Sequence, residues 1–365
     1  MFNGYLKSAI FFGGLFFALS ANAQVDNTVF EDYSLNKPNI SILQFAKNNE
    51  YAENSNPGKT FLGQQWSILP LNSTLRSNLF SKDLTVAYSL GLFVQFDYGD
   101  KKFPSKILPL SSITFSKINW KLRAGNLLSN TQHQLIEPLI NYENTFTHPV
   151  EYGLQFFGNY KYIRFENWVD WRQLAIESVS RQEVISFGNR GRIPLIRTKF
   201  IQAGLPFAAL LFHQGGENLV KPMPVTTNFN GSISMDLGLT DSTLILNATM
   251  LKSQDISQNT THAFKNGTAF IFTLSSFVKS HRFYASYYKA SEYFSPLAPN
   301  LFNSEKIGDP YAVSRNREFI MLRYQYLKYF GNHLIFDARI EPIFHLNKSL
   351  FAFSTGLYLK YVLYN

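Results

Sequence analysis

The chain contains no cysteine, which excludes a disulfide scaffold and a zinc–thiolate centre. Beyond its first 23 residues it has no uninterrupted apolar stretch of eighteen residues, which excludes a membrane-spanning helix. It has no basic run either, although the formal net charge is +9. That charge suits anionic lipid or acidic solutes better than nucleic acid. No Gly-x-Ser-x-Gly elbow, phosphate loop or nucleotide fingerprint occurs.

What is present in excess is aromatic: 35 Phe and 20 Tyr, in a chain whose mean hydropathy is only -0.11. Alternating strands explain this combination, because an apolar outer face and a polar inner face cancel over any window while aromatic residues collect at the two membrane interfaces. From Leu84 to Tyr98, Leu84, Val86, Tyr88, Leu90, Leu92, Val94, Phe96 and Tyr98 share one parity. Thr85, Ser89, Gln95 and Asp97 share the other, which is the period of a strand and not of a helix. In the stretch Glu151 to Leu174, two such runs flank Gly158, Asn159 and Tyr160, the expected turn. The second run sets Ile163, Phe165, Val169 and Trp171, with the lone polar Asn167, against Arg164, Glu166, Trp168, Asp170 and Arg172. About fifteen arms of this kind follow Lys59, and short connections mostly alternate with long ones.

Lys7, the apolar run Ala9 to Leu19 and Ala21-Asn22-Ala23 read as a secretory signal cleaved before Gln24. Residues 24–38 are a polar segment. Residues 39–365 are then expected to form an all-β, transmembrane antiparallel β-barrel. With no spanning helix, only a closed barrel satisfies the backbone in lipid. Short turns belong to the periplasm and long loops outside, so an even barrel with both ends in the periplasm needs Asn39–Tyr51 as its first strand. About 16 strands result, or 14 if two arms merge.

The C-terminal alternation of Phe351, Phe353, Thr355, Leu357, Leu359, Tyr361 and Leu363 gives the chain the look of a bacterial outer-membrane β-barrel. It departs from most of these in ending Tyr364-Asn365 instead of on an aromatic residue. The Asn-rich and Tyr-rich wording, Asn48-Asn49-Glu50-Tyr51 and His133 to Pro138 are similar to uncharacterised porin-like barrels of the Bacteroidota. The resemblance implies a Gram-negative outer-membrane location, contact with lipid and lipopolysaccharide, and insertion by the barrel-assembly machinery. It implies no chemistry.

The polar parity nominates Lys121, Arg123, Arg164, Glu166, Asp170, Arg172, Arg282, Arg323, Asp337, Arg339 and Glu341 as pore-lining residues. The basic excess predicts a porin-like channel for small solutes with a weak anion bias; the alternative reading, of equal weight, is that the same charges cross-link strands without conducting. The loop Ser129 to Val150 holds His133, Glu137, Glu143 and His148, candidates for a constriction inside the lumen. Their spacing matches no metal motif, and neither a metal nor a cofactor is expected. His213, before Gly215-Gly216 and Glu217, marks a strand leaving the membrane, or a rim acid–base pair. No serine can be placed beside a histidine, so an outer-face lipid hydrolase is not expected. The alternative function is surface binding or envelope assembly through the long loops.

Overall fold

The computed structural model describes residues 39–52, 59–81, 83–98, 101–128, 133–176, 181–216, 223–258, 262–307, 309–347 and 349–362, with side chains described from 83 to 361 except 309–312. The expected signal, 1–23, and the polar segment, 24–38, lie outside these residues. Sixteen strands form a closed antiparallel barrel. They are β1 (Asn39–Ala52), β2 (Lys59–Ser81), β3 (Leu84–Asp97), β4 (Lys106–Lys117), β5 (Trp120–Asn126), β6 (Tyr152–Tyr160), β7 (Ile163–Gln173) and β8 (Val184–Arg197), followed by β9 (Ile201–Gln214), β10 (Thr226–Leu239), β11 (Leu244–Asp255), β12 (Asn266–Val278) and β13 (His281–Ser291). After a ribbon of β14 (Glu305–Lys306) and β15 (Asp309–Val313), the barrel resumes with β16 (Asn316–Phe330), β17 (Leu334–His345) and β18 (Leu350–Val362).

Closure is made by β1 against β18, from Ser41 opposite Val362 to Glu50 opposite Phe353. This removes both sheet edges, so the ladder satisfies the backbone all round the wall. The connections sort by end. Residues 118–119, 161–162, 198–200, 240–243, 279–280 and 331–333 turn tightly at one end, which also carries both barrel termini. Long excursions, 127–151 and 292–315 above all, leave the other. By the usual arrangement the tight end is periplasmic and the long-loop end extracellular. Lys161, Lys199 and Lys328 lie over the rings of Tyr162, Phe200 and Phe330 at the tight end, where an ammonium can stay hydrated above an aromatic belt.

Three boundaries differ from the sequence expectation. The hairpin after β6 turns at Lys161–Tyr162, because Gly158, Asn159 and Tyr160 still pair with Phe165, Arg164 and Ile163. β2 runs to Ser81, ten residues beyond the alternating run Thr60 to Leu71 that the sequence marks as a strand, and pairs with β3. β8 continues beyond the run Gln182 to Arg192 that the sequence marks as a strand, through Pro194, where the register shifts before Ile196; a bulge tolerates the missing proline N–H.

Parity within the strands holds. On β7, Glu166, Trp168 and Asp170 are buried inside, while Trp171 is exposed on the outer face. Val169→Arg, which places a charge on that lipid face, is expected to cost about 2–4 kcal/mol and to abolish heat-modifiable migration on gels. Arg164→Ala, at the exposed periplasmic end of the same strand, should migrate as wild type. The reverse pattern would mean that the register of β7 is shifted by one.

Candidate functional site

The loop between β5 and β6 turns into the barrel. Its root is His133, which is fully buried. Nδ1 lies 2.5 Å from Glu166 Oε1 on β7, Nε2 lies 2.9 Å from Glu151 Oε2, and the ring stacks on Trp168 at 3.9 Å. Gly188 leaves room for that indole, since any Cβ there would collide with it. Glu166 also accepts from Gln155 and Arg190. Burial disfavours the imidazolium, but the charges of Glu166 and Glu151 and their hydrogen bonds outweigh it and hold the His133 pKa at about 10. His133 is therefore a cation at neutral pH, clamped between two carboxylates.

Beyond this root the loop crosses the lumen. Glu137 accepts from Arg323 on β16 at 2.8 Å. Arg339 on β17 lies between the rings of Tyr142 and Tyr358. Lys106 on β4 donates to the carbonyls of Phe146 and Thr147, and His148 meets Asp170 at 3.0 Å. The N–H of Glu143 donates to Asn141 at the start of the short helix α1 (Asn144–Thr147). Leu135, Leu139 and Ile140 pack with Leu210, Ile271, Tyr288 and Phe319 from four strands. Each fully buried leucine favours the inward position by about 1.5–3 kcal/mol.

The loop 292–315 folds down over the first. Tyr293 donates to the carbonyl of Pro138, Ser295 to that of Leu139, and Asn141 N–H to that of Leu297. His262 bridges Glu305 and Asn228 at its side. The extracellular half of the lumen is thereby filled by a two-loop plug.

The inward-facing charges are mostly consumed by this packing. Arg323 meets Glu341 as well as Glu137, Arg339 meets Asp337, and Arg172 meets Asp170. Buried Arg123 donates to Ser112 and to the Asn126 carbonyl. Lys121 is half-buried, Arg282 lies over Phe277, and Arg164 is exposed at the periplasmic end. His133, Glu137, Glu143 and His148 do not converge, and among the described residues no group of three His, Asp or Glu side chains is arranged to hold a metal.

A second constellation sits on the outer face at the extracellular rim. His213 and Thr227 are directly opposite each other on β9 and β10. They have outward parity, shared with exposed Phe229 and Ile233, while Phe212 packs inward. His213 Nε2 lies 3.0 Å from the Gly215 carbonyl, and Nδ1 lies 2.8 Å from Thr227 Oγ1. A carbonyl only accepts, so Nε2 carries the proton. With the ring neutral, Nδ1 presents its lone pair to the Thr227 hydroxyl, which donates. Gly215 fixes that carbonyl from a left-handed φ of 99°, a conformation that glycine adopts without strain. Ser257 braces Thr227 by accepting its backbone N–H at 2.8 Å and donates its own hydroxyl to Asp255.

Sequence reading placed His213 at the rim, as a strand end or as the acid–base partner of Glu217, which lies outside the described residues. The hydroxyl beside it belongs to a threonine. No local pattern signals the pair, which follows from the β9–β10 register that sets Thr226 opposite Gln214 and Thr227 opposite His213.

A family model described as lipid A 3'-O-deacylase-type matches residues 35–364. The chain belongs to the lipid A 3'-O-deacylase-type family. That membership overturns the expectation that the chain is not an enzyme, since the family is an enzyme family. No curated protein matches the chain. Among solved structures the chain is similar to OccAB3 of Acinetobacter baumannii (TM-score 0.52, 11% identity, covering 90% of this chain and 98% of that one). It is also similar to a BenF-like porin from Pseudomonas fluorescens (0.51, 9%, 90% and 98%) and to the outer membrane protein OprD from Pseudomonas aeruginosa (0.51, 8%, 90% and 96%). These likenesses show the fold: this member of the deacylase-type family is a transmembrane antiparallel β-barrel of porin-like architecture.

Proposed function

We propose that the chain, exported with removal of residues 1–23, cleaves an acyl ester of lipid A in the outer leaflet. The observation that carries this reading is the His213–Thr227 pair, which faces lipid at the extracellular rim in a member of the deacylase-type family. As the Thr227 oxygen attacks the ester carbonyl, His213 Nδ1 takes the hydroxyl proton. On collapse the proton passes to the departing sugar oxygen, leaving the acyl group on Thr227. Water, deprotonated by the same nitrogen, then releases the fatty acid and restores the hydroxyl. The Gly215 carbonyl holds the tautomer throughout, the part an acid plays in a triad.

The test is the mass of lipid A extracted from a Gram-negative host with and without the expressed protein. Loss of one ester-linked chain is expected. Unchanged lipid A in cells whose outer membrane contains the folded barrel would sink the reading.

A second reading, a small-solute channel with weak anion bias, draws support from the porin-like architecture and from the basic excess of the inward parity. The plug and the pairing of those charges argue for low conductance. Single-channel recording separates the readings, because an esterase needs no open pore.

A further inference from the structure

The outer wall carries a polar feature that the rim chemistry does not use. On β7 and β8, Asn167 and Asn189 lie directly opposite each other, and Asn167 Oδ1 accepts from Asn189 Nδ2. Both have outward parity, shared with exposed Trp171 on β7 and exposed Phe187 on β8. Their depth is that of the hydrocarbon. Asn167 stands four residues from Trp171 at the extracellular end and five from exposed Tyr162 at the periplasmic turn, and a span of about ten residues crosses the whole apolar band. The shared bond uses one acceptor and one donor. Asn167 Nδ2 and Asn189 Oδ1 make no hydrogen bond among the described residues, at a depth where no water compensates an unpaired amide.

The wall around the pair is low. A Cβ at Gly191 would lie 2.2 Å from the Phe207 ring, and one at Gly158 would lie 2.5 Å from the Phe165 ring, so both rings lie down against the backbone instead of standing out into lipid. The residue opposite Asn189 on β9 is Ala209. Small residues of this kind let protein surfaces approach closely within a membrane, near enough for side chains as short as Asn to meet. The pair presents a carboxamide N–H beside a carboxamide oxygen. Rotation by half a turn about the membrane normal brings an identical pair against it with donor facing acceptor twice, whereas a hydrocarbon chain offers neither group. We infer that the outer face of β7 and β8 is a contact between two copies of this chain, held by reciprocal Asn167–Asn189 hydrogen bonds across a two-fold axis. The contact is independent of the His213–Thr227 chemistry, which calls for no second copy.

The test is photo-cross-linking of the full chain in the membranes of a Gram-negative host, with p-benzoylphenylalanine in place of Phe187, the outward neighbour of Asn189. A product of twice the mass, containing only this chain, is expected. The same group in place of exposed Leu357 on β18, across the barrel, should give none. Asn167→Leu combined with Asn189→Leu puts ordinary lipid-facing side chains at both positions. That barrel should keep its heat-modifiable migration while the product from position 187 falls about tenfold or more. No dimer product from the folded, asparagine-bearing protein overturns the assignment. So does an equal yield from position 357, capture of a different protein from position 187, or an undiminished product in the folded leucine variant.

Discussion

His213→Gln is expected to slow lipid A deacylation by about 10²–10⁴-fold, the range contributed by a positioned general base, while the barrel still inserts and shows heat-modifiable migration. Folding should survive because His213 sits at the end of β9 on the outer face and carries no plug contact. Thr227→Val removes the hydroxyl with little change of shape and should lose activity to the same degree, and the double variant should be no worse than either single one, since residues acting as one unit are not additive. Thr227→Ser should retain measurable rate. If Thr227→Val keeps its activity while His213→Gln does not, the attacking oxygen comes from water activated by His213. Full activity in both variants would remove this pair from the chemistry altogether, even if lipid A cleavage itself stood.

The second large effect is at the root of the plug. His133→Leu leaves Glu151 without the cation that compensates it and strips one from Glu166, although Arg190 remains on the latter at 2.7 Å. Breaking a buried pair from one side costs about 3–5 kcal/mol, so the variant should unfold at lower temperature and expose the 127–151 loop to protease. Its single-channel current should rise as the loop leaves the lumen. The wild type should show the same transition with alkali. Its His133 pKa is raised to about 10 from 6.5, so the clamp stabilises the folded state fully below about pH 6.5. That contribution is lost as pH rises through about 10. A wild-type current insensitive to pH between 7 and 11, with His133→Leu indistinguishable from it, would show that the clamp does not hold the plug.

Membership of the deacylase-type family on a porin-like barrel becomes intelligible if the two faces of the wall do different work. On the proposed esterase reading, lipid A meets only the outside, so the chemistry would need the outer parity of β9 and β10 and make no demand on the lumen. The lumen of a sixteen-stranded barrel is too wide for strand side chains alone to fill, and here two loops supply the missing core. Leu135, Leu139 and Tyr293 are as thoroughly buried as the interior of a soluble domain, Arg323 is neutralised across it by Glu137, and Arg339 is neutralised by Asp337 on its own strand.

Strand content, parity and the sorting of connections could be read from the sequence because each depends on near neighbours: a period of two, a tight turn and a face that must meet lipid. Even the count of sixteen followed, since both barrel ends share one side and pairing must close. That logic also placed Glu166, Asp170, Arg323, Asp337, Arg339 and Glu341 on the inner parity. It could not say what those charges meet. Glu137 and Arg323 are 186 residues apart, and Tyr293 reaches Pro138 across 155; no local pattern encodes a loop folding back through a closed ring. The same limit hid the rim pair. His213 and Thr227 become neighbours only through the β9–β10 register, and the proton on Nε2 is decided by where Gly215 turns its carbonyl. Local alternation determined the wall, while long-range closure and loop burial decided what fills it and which two side chains meet on its outer edge.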